Sequence, residues 1–249
     1  MTKNSFMVMM SQKLLFGMFL FGKVLRFIFF LLFLYFLVSG TGSLAGYTVT
    51  QTIFFYLTFN LIDVLGQFLY REVYRFRPLL VSGDFDLVMS KPMNPLFRVL
   101  MGGSDVIDLV TIPFLIWAVS YVGAKLDPST LDVLLYILLS INGLVIATSF
   151  HIATLATALR TLEIDHTVMM YRDLLNLGKL PVDIYKEPLR AILTFLIPVG
   201  IMVTLPAKTF LGMSGWFLII TSFVIAGLSL VVAVRFWNYS LRFYTSASS

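Results

Sequence analysis

The chain contains no cysteine and only two histidines among 249 residues. Disulfides, iron–sulfur clusters, thiolate zinc sites and cysteine nucleophiles are therefore excluded, and a histidine-rich metal centre has too few ligands. Charge is scarce as well: Asp, Glu, Lys and Arg are 12% of the residues, against 59% hydrophobic ones. A soluble domain carries roughly twice that charged fraction, so water is not the main solvent of this chain. Internal repeats and low-complexity tracts are also missing. One membrane domain over residues 1–249 is the simplest division.

What the chain has is apolar runs. Five are clear: about Val24 to Leu44, Thr52 to Leu69, Val99 to Val122, Val133 to Leu159 and Trp216 to Val234. A sixth, Ala191 to Leu205, is short and contains Pro198, which suits a kinked span or a re-entrant segment sheltered by other helices. The expected fold class is all-α: about six transmembrane helices with a short or re-entrant fifth hydrophobic segment, N-in and C-in. Lys3, Lys13, Lys23 and Arg26 ahead of Phe27 to Val38 resemble the start of a secretory leader. The run continues to about Leu44 without a convincing small-residue cleavage site, so a first membrane anchor is expected instead.

The net charge of +5 does not point to nucleic acid, because the basic residues sit between apolar runs and not on one face. They read as topology signals. If all six runs cross, 16 of the 18 Lys and Arg lie inside and only Lys125 and Lys208 lie outside. A competing layout lets Leu162 to Tyr185 cross as a semi-polar fifth helix, with Ala191 to Leu205 dipping back from the outer face. That puts Arg172, Lys179, Lys186 and Arg190 outside, a weaker bias, so charge and hydropathy favour the simple layout.

The inner loop at about 70–98 carries Gly83-Asp84-Phe85-Asp86-Leu87-Val88-Met89-Ser90-Lys91-Pro92-Met93-Asn94-Pro95. Gly83 permits a tight turn, Asp84 caps a helix start, and Pro92 and Pro95 stop the helix. Such a short exposed helix suits a partner's groove, with Phe85 and Leu87 as apolar anchors; the bland alternative is a loop resting on the bilayer surface. Within the second run, Asn60, Asp63 and Gln67 fall on one helix face. A carboxylate there needs a helix neighbour or a wet path, and a packing cluster or dimer seam weighs against a path. Asp105 and Asp108 open the third run, where pairing with Arg98 or with arginines of a partner chain is expected.

His151 sits near Ser149, Thr154 and Thr157 in the fourth run. No Gly-x-Ser-x-Gly elbow or Asp-x-x-Asp cluster accompanies it, so helix-to-helix hydrogen bonding is preferred over catalysis. His166 carries no clear signal. The 24 phenylalanines read as lipid contact and packing before an aromatic-lined path.

The stretch Gly83 to Leu87 with Lys91 to Pro95 resembles the loop of a bacterial family of ABC type-2 permeases, where Gly-x-x-Asp-x-x-x-x-Lys-Pro follows the second span. Leu180-Pro181-Val182-Asp183-Ile184-Tyr185, Leu193 to Val199 with Leu205-Pro206-Ala207, and the ending Arg242 to Ser249 are similar to that family's later segments. Leu180 and the charged Lys186-Glu187-Pro188 depart from it. The resemblance implies a dimeric six-helix permease in the bacterial cytoplasmic membrane. Two cytosolic ATPase subunits would dock on the coupling loop Gly83, Asp84, Phe85, Asp86, Leu87, Lys91 and Pro92. It further implies an ATP-driven exporter of an amphipathic, lipidic or drug-like substrate, with no cofactor in this chain. No Gly-x-x-x-x-Gly-Lys-Ser/Thr loop occurs, so ATP and Mg belong to the partner ATPase. The rival expectations are a proton- or ion-coupled carrier using Asp63 and a non-transporting membrane scaffold.

Overall fold

The computed structural model describes residues 13–103 and 106–245; Asp105 and the ending Ser246 to Ser249 lie outside them. Every regular element among the described residues is helical. The first long helix, α1 (Lys13–Thr41), leads through a tight loop to α2 (Val49–Tyr70), which starts on a capping box. There the Gln51 backbone N–H donates to Thr48 Oγ1, and the Thr48 N–H donates back to Gln51 Oε1 at 2.9 Å. A 3-10 turn (Arg71–Arg75) and three short helices follow: α3 (Phe76–Val81), α4 (Asp84–Met89) and α5 (Pro95–Met101). Then come α6 (Val106–Ala124), α7 (Thr130–Thr161) and α8 (Asp165–Asn176). The chain ends with the bent pair α9 (Leu189–Leu196) and α10 (Gly200–Phe210), and with α11 (Trp216–Leu241).

Five helices are long and apolar enough to cross a membrane: α1, α2 with its continuation to Val81, α6, α7 and α11. Contacts between their ends order the sides. Phe85, in the loop after α2, packs against Trp237 near the end of α11 and against Tyr244 just beyond it, with ring centroids 6.4 and 5.2 Å apart. Arg77 of the same loop reaches Glu163, just past α7, at 3.4 Å. So α7 and α11 both end on the side of the 70–98 loop, and the chain between them makes one net crossing.

That crossing is complete by Asp183. Its carboxylate accepts from the hydroxyl of Tyr47, in the loop on the opposite side, at 2.8 Å and from Lys208 Nζ at 3.1 Å. Burial and then the Asp183 carboxylate push the Tyr47 phenol well above its ordinary pKa, so it stays a donor. Residues 165–185 are therefore the semi-polar fifth crossing, and α9 with α10 is a hairpin that enters and leaves on the outer side, bent by 76° around Pro198.

The simple layout is thus corrected: Lys186 and Arg190 belong to the outer side, and Arg172 and Lys179 lie within the crossing. The charge bias misled because it treats every Lys and Arg as a loop residue, whereas a crossing walled off by other helices can hold them. The short or re-entrant fifth apolar segment is the re-entrant hairpin. Its irregular backbone is shielded at Ile201, Met202 and Val203, all buried, and the Val182 N–H donates to Thr204 Oγ1 at 3.2 Å.

Packing is densest where α7 meets α11 and α10. A Cβ on Gly143 of α7 would collide with the Met202 carbonyl oxygen, so only glycine lets the hairpin backbone approach this closely. Asn142 Nδ2 donates to the Ser222 carbonyl at 3.2 Å, and Ser229 Oγ donates to Ser149 Oγ at 3.2 Å. These neutral bonds tie α7 to α11 at membrane depth.

Candidate functional site

Two regions carry the residues that sequence singles out. The first is the inner face. Gly83 adopts a left-handed conformation, φ 79°, and starts α4, while Ser82 Oγ accepts from the Asp84 N–H at 3.3 Å and donates to Asp84 Oδ2 at 2.8 Å. This local bonding turns the chain sharply and presents the six-residue helix edge-on. Asp84, Lys91 and Pro92 are exposed, and Gly83 and Asp86 are partly covered.

The two expected apolar anchors separate. Phe85 is 0% exposed, enclosed by Phe76, Trp237 and Tyr244, whereas Leu87 is 62% exposed. The expectation that Phe85 inserts into a partner is therefore corrected: its ring fastens α4 to the end of α11. Leu87 is left exposed, as are Val81, Met93 and Phe97 of the same loop region. Glu72, buried beneath this loop, accepts from Arg98 Nη1 at 3.3 Å. Arg77 bridges to Glu163 and, at 3.8 Å, to Asp165 at the start of α8. That link between the loop and the fifth crossing was not foreseen, since nothing in the spacing brings residue 77 to residue 165.

The second region is a cavity of about 270 Å³ between α1, α2 and α6. Asn60, Asp63 and Gln67 all line it, as their common helix face predicts. Gln67 Nε2 donates to Asp63 Oδ2 at 2.8 Å, and Asn60 Nδ2 donates to the Tyr56 carbonyl at 2.7 Å. Facing them from α1 are Lys23 and Arg26, with Phe27 and Leu31 above. These two cations read only as topology signals in the sequence, although their spacing of three places them on one helix face.

Asp108 does not pair with Arg98. It accepts from Lys23 Nζ at 2.6 Å, with its side chain almost wholly covered, while Arg98 serves Glu72. From α8 and the turn after it, the charges of Arg172 and Lys179 act on the same neighbourhood. Lys179 Nζ lies 5.9 Å from the centroid of the Phe30 ring.

His151 is buried and corrected in one respect: Nδ1 bonds the Ala147 carbonyl of its own helix at 2.7 Å, not a neighbouring helix. Its interhelical contacts are ring contacts, with Tyr70 at 4.7 Å and Tyr171 at 4.8 Å. Thr154 and Thr157 likewise bond back to their own helix, and His166 is exposed. Among the described residues no group of three or more His, Asp or Glu could hold a metal ion.

This arrangement defines a multi-pass membrane protein with a re-entrant outer hairpin, a charged inner cavity and a knobbed inner face. Residues 24–248 match the family model described as ABC-2 family transporter protein. The chain belongs to that family and is a permease subunit of an ABC transporter. No curated protein and no solved structure matches it.

Proposed function

We propose that this chain is the permease of an ATP-driven type-2 exporter of the bacterial cytoplasmic membrane, powered by separate ATPase subunits. It acts with a second permease chain, forms one membrane domain over residues 1–249 and carries out no covalent chemistry itself. ATP and Mg reside on the partner ATPase, and the cargo is an amphipathic, lipidic or drug-like molecule.

The observation that carries this reading is the construction of α4. One face is clamped onto the end of α11 by Phe85, and the other offers Leu87 to the cytosol. A knob whose outer side contacts a moving partner and whose inner side is fixed to a transmembrane helix passes displacement from one to the other. The ATPase docks on Gly83, Asp84, Leu87, Lys91 and Pro92, with Asp86 and buried Phe85 behind them. Its closure pulls α11 through Phe85 and the fifth crossing through Arg77, so the helices around Asn60, Asp63 and Gln67 shift together. Asp63 serves as a wall of the path, not as a proton-coupling group.

The test is Leu87→Glu in the full complex. Placing a carboxylate in an apolar contact should reduce ATPase co-purification at least tenfold and abolish ATP-dependent transport, while membrane insertion persists. Phe33→Ala, on the outer surface of α1, is the control. If Leu87→Glu and Phe33→Ala co-purify the ATPase equally well, α4 is not the coupling element.

A further inference from the structure

The charges around the cavity do not balance. Among the described residues Lys23 and Arg26 line the cavity with a single carboxylate, Asp63, and the charges of Arg172 and Lys179 lie near enough to act on the same group. Asp108 is taken up by Lys23, and no carboxylate of the described residues lies within 4 Å of Arg26, Arg172 or Lys179. Arg26 lies roughly 22 Å along α1 from its outer end at Thr41, well inside a hydrocarbon core of about 30 Å. Cations at that depth are costly without a counter-charge.

The surroundings say what brings the counter-charge. Phe27, Leu31, Phe114 and Leu115 make the rest of the wall apolar. Val24, Arg26 and Ile28 on the rim are exposed, so the cavity is open sideways along α1. A second cavity of about 340 Å³ shares Lys23, Arg26 and Gln67 and continues past Arg71 toward the inner face. A ligand entering here meets positive charge at one end and hydrocarbon at the other.

We infer that the cavity between α1, α2 and α6 binds amphiphiles with an anionic head, a phosphate, sulfate or carboxylate, held by Arg26 and Lys179 with the tail against Phe27, Leu31 and Phe114. The inference rests on the permease reading and narrows its substrate to one sign of charge. Arg26 supplies a planar fork for two head oxygens, and Lys179 supplies a point charge. Lys23 stays engaged with Asp108, and Asp63, bonded by Gln67, turns away competing anions that lack a tail to secure them.

The experiment uses the purified full chain, without ATPase, in nanodiscs of phosphatidylcholine alone, and the probe is radiolabelled dodecyl phosphate. Saturable binding is expected, displaced by dodecyl sulfate and not by dodecyltrimethylammonium. Arg26→Gln and Lys179→Gln should each weaken binding tenfold or more, Arg26→Lys should restore most of it, and Phe33→Ala should leave it unchanged. Rescue by Arg26→Lys, at unchanged elution in size exclusion, separates lost charge from lost fold.

A parallel arm adds phosphatidylglycerol to the nanodiscs. Displacement of the probe identifies an inner-leaflet lipid head as occupant, and retention identifies a free amphiphile; both support an anionic site. Equal or tighter binding of the trimethylammonium compound, or glutamine variants that bind like the parent, overturns the inference. ATPase co-purification of these variants is measured separately, so a failed anion site leaves the coupling proposal standing and the reverse also holds.

Discussion

The half of the molecule built from α7, α10 and α11 and the half built from α1, α2 and α6 solve the same problem in opposite ways. In the first, the helices are tied by short neutral side chains, Asn142 bonded to Ser222 and Ser149 to Ser229. Backbones touch there, at Gly143 and Met202. In the second, the long side chains of Lys23 and Arg26 stand with Asn60, Asp63 and Gln67 around a space left between the helices. One half holds its shape by close approach; the other holds charge by keeping apart. The difference teaches where rigidity and ligand capacity reside in a small permease.

The comparison is open to direct attack. The largest effect is expected where the rigid half meets the inner face. Phe85→Ala deletes a ring enclosed by Phe76, Trp237 and Tyr244, which typically costs about 3–5 kcal/mol. Urea or thermal unfolding of the purified chain should show it, with ATPase docking lost as a secondary result. A stability equal to that of the parent would mean that α4 is not clamped. Gly143→Ala comes next, at about 1–3 kcal/mol for forcing the Met202 carbonyl away. A thermal midpoint that falls by less than the midpoint of Gly227→Ala, where a Cβ meets nothing within 4 Å, would remove the argument for close approach. Asn142→Ala is the smallest, about 1 kcal/mol for its interhelical bond to Ser222. Its thermal midpoint should drop slightly with anion binding intact, and a loss of binding would show that the two halves are coupled.

Much of this architecture was legible in the residues, and the failures have physical causes. The five long helices follow from unbroken apolar runs, and the shared face of Asn60, Asp63 and Gln67 follows from helical periodicity. The fifth crossing does not announce itself: residues 165–185 carry Asp165, Arg172, Asp173, Lys179 and Asp183. They cross only because other helices screen them from lipid, a fact of tertiary packing. The roles of Phe85 and Leu87 were interchangeable in sequence, because a helix of six residues has no periodicity long enough to assign its faces. Arg26 and Lys23 were visible as cations, but a positive-inside count explains them so well that it conceals their place in a cavity wall.

One carboxylate has a consequence for how the protein is made. Asp183 joins Tyr47, from the first loop to be translocated, to Lys208, from the last hairpin to emerge. During synthesis the loop between α1 and α2 reaches the outer side long before residue 183 exists. Its tyrosine therefore waits, anchored only by its own helices, until the fifth crossing and the hairpin follow it across. The outer tie closes only once residue 208 has been made, still before the inner clamp of Phe85 on Trp237 and Tyr244 can form. A ribosome that stalls before residue 208 leaves α1, α2, α6 and α7 made but their outer side not yet tied through Asp183.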